Sequence, residues 1–309
     1  MTESEYKNCK LCPRNCGVDR SVTRGYCHES DKLCVARAAL HMWEEPCISG
    51  KRGSGTVFFS GCNMGCVFCQ NRKISRGEVG KIIDKERLSE IFFELKDKGA
   101  NNINLVTGDM FIPTIRWAIE DARSKGFDLP FLLNTSSYLN LDVVKSLDGL
   151  IDIYLPDFKY IRDEDAIRYS NAPGYVEAAK NAIAEMVRQR PEPTFFPEKD
   201  GDTIMKSGVV VRHLLMPGML IQAKLIVKYL HENYGDNIYL SLMNQYTPNE
   251  ELSAFPEINR KVTDREYDSL VEYAQGLGIE RAFVQIGDTA DESFIPEFDC
   301  EGVIKNGEL

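Results

Sequence analysis

Three cysteines in a short, glycine-containing stretch are the residues of this sequence best suited to chemistry. Cys62, Cys66 and Cys69 follow the spacing C-x3-C-x2-C, and Gly61 and Gly65 allow the backbone between them to turn tightly. Structural zinc sites and ordinary electron-transfer clusters normally take four protein ligands. Three local sulfurs therefore indicate a cluster in which one iron is left open for a small molecule.

Two other interpretations of these cysteines stay open. The first is a set of buried thiols without metal, because free Cys is among the most buried residue types. The second is a zinc site that takes its fourth ligand from elsewhere in the chain. The apolar segment Thr56–Phe59 immediately before the cysteines predicts a strand, and this context favours a cluster loop over both alternatives.

The stretch from Ser60 to Asn71 resembles the cluster loop of the radical S-adenosylmethionine (SAM) enzymes. Their motif is C-x3-C-x2-C with an aromatic residue directly before the last cysteine, and Phe68 fills that place. The resemblance implies a 4Fe–4S cluster whose open iron binds the amino and carboxylate groups of SAM. It also implies reductive cleavage of SAM to a 5′-deoxyadenosyl radical that abstracts hydrogen from a substrate, and a reductant such as flavodoxin or ferredoxin.

A second group of cysteines lies near the amino terminus, in a segment where Pro13 and Gly17 favour turns. Several thiols brought together by turns in a small segment indicate a metal site. The alternative is a set of incidental thiols, and the spacing does not separate zinc from iron–sulfur. The predicted ligands of this second site are Cys9, Cys12, Cys16 and Cys27, with His28, Cys34 and Cys47 as substitutes for the fourth.

Strand-like and helix-like segments alternate after Cys62, Cys66 and Cys69, here called the barrel cysteines. This alternation predicts a parallel sheet with helical crossovers. The fold class is α/β, a partial (open) six-unit (β/α) barrel with a small Cys-rich amino-terminal lobe. This unit count matches the fold of the radical SAM family. Residues 35–43 are predicted to be helical and residues 191–208 to form a loop. The expected domains are a metal-binding lobe (1–49), the barrel (50–287) and a carboxyl-terminal tail (288–309).

Sites of parallel barrels lie at the carboxyl ends of the strands. The chain resembles relatives of the pyruvate formate-lyase activating enzyme there, although Thr107-Gly108-Asp109 replaces the usual Gly-Gly-Glu and Asn134 replaces an Asp. The alternatives are a helix cap at Asp109 and a plain surface ion pair between Asp157 and Lys159. The resemblance implies SAM contacts from Phe68, Gly108, Asp109, Asn134, Thr135, Asp157, Lys159 and Arg212.

Composition limits the remaining function classes. The 309 residues are 43% hydrophobic, enough for a sizeable core, and the formal net charge of -10 disfavours nucleic acid as the main partner. No apolar run approaches the roughly 18 residues of a membrane span. The amino terminus is polar, without a segment of the signal-peptide kind. Ten cysteines in such a chain are expected to be reduced thiols or metal ligands in the cytosol.

Two functions remain in competition. The first is a radical SAM enzyme, with a glycyl-radical enzyme or another protein or peptide as one class of substrate. The second is an iron–sulfur assembly or electron-transfer protein without radical chemistry. Only the first forms 5′-deoxyadenosine. The string from Glu44 to Gly50 and the amino-terminal Cys-Pro-Arg-x-Cys segment resemble an uncharacterised branch of the activating-enzyme relatives, which leaves the substrate unidentified.

Overall fold

A mostly parallel sheet organises the fold in the computed structural model, which describes residues 2–197, 201–285 and 296–305. Strands β2, β4, β5, β6, β8, β9 and β10 run parallel, whereas β1 and β3 extend one edge in the antiparallel sense. The strands are β1 (Leu33–His41), β2 (Ser54–Phe59), β3 (Lys81–Ile83), β4 (Ile103–Val106), β5 (Phe131–Thr135), β6 (Ile153–Pro156), β7 (Thr194–Phe195), β8 (Met205–Leu214), β9 (Tyr239–Met243) and β10 (Ala282–Val284).

Helices connect the parallel strands, as crossovers of this type require. One or two helices follow each of the six strands from β2 to β9 that belong to the parallel set, so the six predicted units are confirmed. In the described ranges, no helix has the length and apolarity needed to cross a membrane. The helices are α1 (Thr2–Tyr6), α2 (Pro46–Ser49), α3 (Arg72–Ser75), α4 (Lys85–Asp97), α5 (Ile112–Ser124), α6 (Leu141–Lys145), α7 (Asp163–Ser170), α8 (Tyr175–Gln189), α9 (Leu220–Tyr234) and α10 (Asp264–Gly276).

The core follows from strands covered on both faces. Every residue of β4 and β5 is buried, as expected when helices pack on one side and a filled barrel interior lies on the other. Helix α5 shows the matching pattern, with Ile112, Ile115 and Ile119 at helical spacing and all buried. These contacts hold the carboxyl ends of the parallel strands in fixed register at one end of the barrel.

The prediction of a helix over residues 35–43 is wrong, because this segment belongs to β1. Alanine favours helices, but Val35, Ala38 and Ala39 pair with β2 and are buried. Pairing with a neighbouring strand outweighs the local propensity here. The predicted loop also proves shorter, since β8 begins at Met205 and β7 pairs with it in the antiparallel sense. Strands β3 and β10 were not predicted.

Residues on both sides of the predicted domain boundaries contact the barrel. Strand β1 is part of the sheet, and the carbonyl oxygens of Ile48 and Ser49 accept hydrogen bonds from Asn102 and Asn101, just before β4. The segment containing α2 therefore lies at the amino-terminal side of the barrel. Of the predicted tail, residues 288–295 and 306–309 lie outside the described residues. The backbone N–H of Cys300 donates to the carbonyl oxygen of Ala36 on β1.

Candidate active site

The barrel cysteine loop, residues 60–71, joins β2 to α3 at the carboxyl end of the sheet. Backbone hydrogen bonds from two directions fix its path. The N–H of Gly61 donates to the carbonyl oxygen of Ile74 at 2.7 Å, and the N–H of Gly65 donates to that of Ser170 at 2.9 Å. The loop is thus held between α3 and the end of α7, and its three cysteines are presented from a defined backbone.

The two loop glycines are required for different reasons. Gly61 has a φ of +82°, and a Cβ there would lie 2.6 Å from the carbonyl oxygen of Cys27. Gly65 is limited by space alone, because its Cβ would lie 2.8 Å from the hydroxyl of Tyr26. Both glycines let the amino-terminal lobe pack directly against the barrel cysteine loop.

The surroundings of the barrel thiols favour their deprotonated form once a metal is bound. The N–H of Met64 donates to Cys62 Sγ at 3.4 Å, and the hydroxyl of Ser170 donates to Cys66 Sγ at 2.9 Å. Burial raises the pKa of the Cys66 thiol to about 11, and the Lys159 ammonium opposes that rise. Metal binding displaces the thiol proton, and these donors then stabilise the thiolate. This donor set fits an iron–sulfur cluster.

The arrangement of the thiols also bears on the kind of metal. Across the described ranges, no three His, Cys, Asp or Glu side chains are grouped as ligands of one metal ion. A zinc ion needs its sulfurs at about 2.3 Å, all pointing to one place. In a 4Fe–4S cluster each cysteine binds a different iron, so the thiolates stand further apart. The structure therefore contains no preformed single-ion site at either cysteine group.

A cavity of about 660 Å³ opens at this end of the barrel. It brings the barrel cysteines together with most of the strand-end residues that the sequence singled out. Gly108 and Asp109 are not among the residues that line it. The predicted site residues that line the cavity are Cys62, Cys66, Phe68, Cys69, Asn134, Thr135, Asp157, Lys159 and Arg212.

Asp109 lies behind the cavity wall instead. Its side chain is buried, Oδ1 has no hydrogen-bond partner, and Oδ2 accepts from Ser136 Oγ at 3.5 Å. Burial raises the pKa of this carboxyl to about 7. Gly108 is packed so closely that a Cβ would meet Ile115 and Phe59. The helix-cap alternative receives no support, since no capping bond from Asp109 is present.

Arg212 is surrounded by acceptors rather than left free for a ligand. Its Nε donates to Asp157 Oδ1 at 2.9 Å, and one terminal nitrogen donates to Asn134 Oδ1 at 2.5 Å. The other terminal nitrogen lies 3.4 Å from Glu44 Oε2. Lys159 Nζ is 2.6 Å from Asp157 Oδ2. Burial would raise the pKa of Asp157, but these two cations hold it below its ordinary value. The pair of Asp157 and Lys159 is largely buried, with side-chain exposures of 13% and 17%, and is not a surface ion pair.

Aromatic and polar side chains complete the walls. Phe68 is buried with its ring centroid 5.7 Å from that of Tyr246, which also lines the cavity, as does Gln245. Of the three residues that directly follow β9, the lining of the cavity includes Gln245 and Tyr246 but not Asn244. His213 faces away, and its Nδ1 lies 2.8 Å from the carbonyl oxygen of Phe158.

Glu44 and Glu45 are cavity residues that sequence reasoning did not include among the site residues. They lie between β1 and α2, outside the segments that follow the parallel strands in the sequence. Glu44 accepts from Asn104 Nδ2 at 2.9 Å and approaches Arg212. Two adjacent carboxylates before a proline, in a segment that also carried the family resemblance, were the available signal. Their inward direction depends on how residues 46–49 pack beneath β4.

The four amino-terminal cysteines lie near one another in a turn-rich segment. The N–H of Gly17 donates to the carbonyl oxygen of Cys9 at 3.0 Å. A Cβ on Gly25 would lie 3.4 Å from Cys27 Sγ and 3.9 Å from Cys16 Sγ. Burial raises the pKa of the Cys12 thiol to about 12, and the other three thiols add to that rise. The lobe is adjacent to the barrel site, because the N–H of Cys62 donates to the carbonyl oxygen of Cys27.

Comparison with known proteins agrees with this site. A family model described as the radical SAM superfamily matches residues 56–196, which include the barrel cysteine loop. An uncharacterized protein of Methanocaldococcus jannaschii, MJ0674, is 28% identical over 288 residues, 91% of this chain and 78% of that protein.

Solved structures show the fold. The FeFe-hydrogenase maturase HydG from Carboxydothermus hydrogenoformans aligns with a TM-score of 0.50 and 14% identity, over 72% of this chain and 50% of that chain. A domain of the pyruvate-formate lyase-activating enzyme from Bacteroides vulgatus aligns with a TM-score of 0.41 and 11% identity, over 57% of this chain and 91% of that domain. The chain spans about half the length of several other solved structures that it matches.

The family match covers the segment from β2 to β7, which contains the three-cysteine loop of the partial barrel. Over this segment the chain is similar to the radical SAM superfamily.

Proposed function

We propose that this protein reductively cleaves SAM and uses the resulting radical to remove a hydrogen atom from a substrate bound in the barrel. The observation that carries the proposal is the shared cavity. Three cysteines without a local fourth line the same cavity as the charged residues Asp157, Lys159 and Arg212. An electron carrier has no need of such a ligand-sized space, and 660 Å³ lies within the range of small-molecule sites.

The residues of this chain would divide the work as follows. Cys62, Cys66 and Cys69 would hold a 4Fe–4S cluster, which would supply the one electron needed to cleave SAM to methionine and a 5′-deoxyadenosyl radical. Transfer of one hydrogen atom from the substrate would then give 5′-deoxyadenosine and a substrate radical. The opposite charges of Lys159 and Asp157 would meet the carboxylate and amino group of SAM. Arg212 would position Asp157 through the 2.9 Å hydrogen bond between them.

We also propose that Cys9, Cys12, Cys16 and Cys27 bind a second metal centre. Support comes from the proximity of the four thiols and from their contact with the barrel cysteine loop. Four thiolates at this place suit either zinc or an iron–sulfur cluster. A reductant such as flavodoxin or ferredoxin would supply electrons.

The resemblance to activating-enzyme relatives supports a protein or peptide substrate, with a glycyl-radical enzyme as the first to be tested. The activation would remove one hydrogen atom from a glycine Cα of the partner. The cavity opens at the strand ends, where a polypeptide loop can enter.

The experiment is anaerobic reconstitution with iron and sulfide, followed by SAM and dithionite. Formation of 5′-deoxyadenosine and methionine in equal amounts is expected from the parent protein. Iron incorporated without any 5′-deoxyadenosine, even with candidate partners present, would favour the electron-transfer alternative. A variant in which all three barrel cysteines are replaced by Ala is the control for background cleavage.

A further inference from the structure

The cavity contains a carboxylate that the SAM assignments do not use. Glu45 lines the cavity and is 9% exposed, yet its Oε2 is buried without a hydrogen-bond partner. Burial raises the pKa of this carboxyl, and the Arg212 charge and the hydroxyl of Ser241 oppose the rise. No direct ion pair between Glu45 and Arg212 is present among the described contacts. A buried charged oxygen without a partner is costly, so this position is energetically incomplete in the protein alone.

The backbone around Glu45 is built to hold its side chain in place. The N–H of Glu44 donates to Ser49 Oγ at 3.0 Å, and the N–H groups of Ile48 and Ser49 donate to the carbonyl oxygen of Glu45. Asn102 then fixes Ile48 from the start of β4. This turn places both carboxylates in the barrel interior from its amino-terminal side.

The neighbouring carboxylate, Glu44, has a polar partner for each of its two oxygens. Glu44 Oε1 accepts from Asn104 at 2.9 Å, and Glu44 Oε2 lies 3.4 Å from Arg212. A network of hydrogen bonds and ion pairs therefore joins four side chains, those of Glu44, Asp157, Arg212 and Asn134. Glu45 is left outside this network, although it also lines the cavity.

A partner that supplies positive charge and N–H donors would stabilise the ionised form of this carboxyl, which burial disfavours. SAM has a cationic end, but its anchoring point is the barrel cysteine loop at the carboxyl ends of the strands. Glu45 lies in the segment that packs against residues preceding β4, whereas the barrel cysteine loop follows the carboxyl end of β2. A second molecule bound in the same cavity can reach it. The aromatic ring of Phe58, which also lines the cavity, suits the apolar part of a molecule with a cationic end.

We propose that Glu45 binds a protonated amine of the substrate. The inference rests on the proposed function in that it places the substrate in the same cavity as SAM. The amine can come from a free small molecule or from a lysine side chain or amino terminus of a peptide. The chemistry at Glu45 is the same in both cases, and the two sources differ in what else must fit the cavity.

The test uses isothermal titration of the anaerobically reconstituted, SAM-saturated protein. The amine probes are n-butylamine and the peptide acetyl-Gly-Lys-Gly-amide, and the neutral probes are n-butanol and the same peptide with norleucine. We expect at least one amine probe to bind about tenfold or more tightly than its neutral counterpart. Glu45→Gln should remove that preference while SAM affinity stays within about twofold, because Gln keeps the shape but not the charge. Glu45→Asp keeps the charge and should therefore retain part of the preference for the amine probe.

The controls separate the outcomes. Glu120→Gln, an exposed position on α5, should bind every probe like the parent. Binding of butylamine assigns a free amine, and binding of the lysine peptide alone assigns a polypeptide. Equal binding of amine and neutral probes, or no binding of either, overturns the proposal. A loss of SAM affinity in Glu45→Gln equal to the loss of amine affinity assigns the carboxylate to SAM and also overturns it. If the parent binds the amine but forms no 5′-deoxyadenosine, the proposed function fails and the amine site stands.

Discussion

The two cysteine groups of this molecule occupy contrasting surroundings. Cys62, Cys66 and Cys69 follow a buried strand of a parallel sheet and line a large cavity with charged strand-end residues. The amino-terminal cysteines lie in turns outside the sheet, and the residues that line the cavity do not include them. Under the proposed function, the two groups have different roles. Three thiolates at a cavity would leave one iron of a cluster open to SAM, whereas four thiolates in a lobe would complete a cluster.

The two groups are nevertheless in contact. The backbone bond between Cys62 and Cys27 is 3.3 Å long. Arg14 adds a side-chain link, since its Nε donates to the carbonyl oxygen of Asn63 at 3.0 Å and its guanidinium lies 3.7 Å from the ring centroid of Tyr26. A structural change at one cysteine group is therefore expected to affect the surroundings of the other.

Replacing Cys62, Cys66 and Cys69 together by Ala should have the largest effect. The barrel cluster and all 5′-deoxyadenosine formation should be lost, because no other thiolate of the described residues lines that cavity. Iron analysis and electron-spin resonance check this. Cys300→Ala, remote from the cavity lining, is the matched control and should keep the cluster. A cluster that still responds to SAM in the triple variant would contradict the account.

Replacing Cys9, Cys12, Cys16 and Cys27 by Ser should remove the second metal and loosen the lobe, because metal-binding energy contributes to folding of such segments. The barrel cluster should remain, since its contact with Cys27 is made by backbone atoms. Metal analysis and limited proteolysis of residues 1–32 measure the two effects. Unchanged metal content in this variant would show that these thiols bind nothing.

Arg212→Ala should destabilise the barrel side without affecting the amino-terminal metal. Glu44 and Asp157 would be left as buried acids without their shared cation, at a cost of about 3–5 kcal/mol in the free energy of unfolding. Urea denaturation measures it. Arg123→Ala removes a more exposed pair with Asp152 and should cost about 0–1 kcal/mol. Equal losses of unfolding free energy in the two variants would mean that the buried network stabilises the fold no more than the exposed ion pair does.

Arg14→Ala should have the smallest effect, about 1–2 kcal/mol in the free energy of unfolding, from the lost hydrogen bond and cation–π contact. Arg14→Lys should recover only part, because an ammonium lacks the planar stacking surface. The barrel cluster should persist with a slightly altered spin signal. A variant with parent stability and an identical signal would show that the two cysteine groups are not coupled through Arg14.

Much of the fold could be predicted because its signals are local. Helix α5 shows apolar residues at helical spacing and ends before Gly126, and β5 begins with the apolar run Phe-Leu-Leu. The segment of β1 could not be read in this way. Its alanines favour a helix locally, and only pairing with β2 determines the strand.

Site residues could be predicted where they form a local sequence motif, and they were harder to predict where they meet only through the fold. The barrel cysteines form a recognisable spacing. The partners of Arg212 do not, because Glu44 is 168 positions away in the chain and reaches it through packing at the amino-terminal side of the barrel. The free oxygen of Glu45 likewise depends on the turn at residues 44–49.

The most direct test of the contrast between the two groups is electron-spin resonance of the reduced protein with and without SAM. The parent and the four-Ser variant of the amino-terminal cysteines are compared. The account predicts that SAM shifts one signal, that of the barrel cluster, and shifts it in the same way in both proteins. A signal that SAM leaves unchanged in the parent, or a SAM response that disappears with the amino-terminal cysteines, would contradict the assignment of the open iron to Cys62, Cys66 and Cys69.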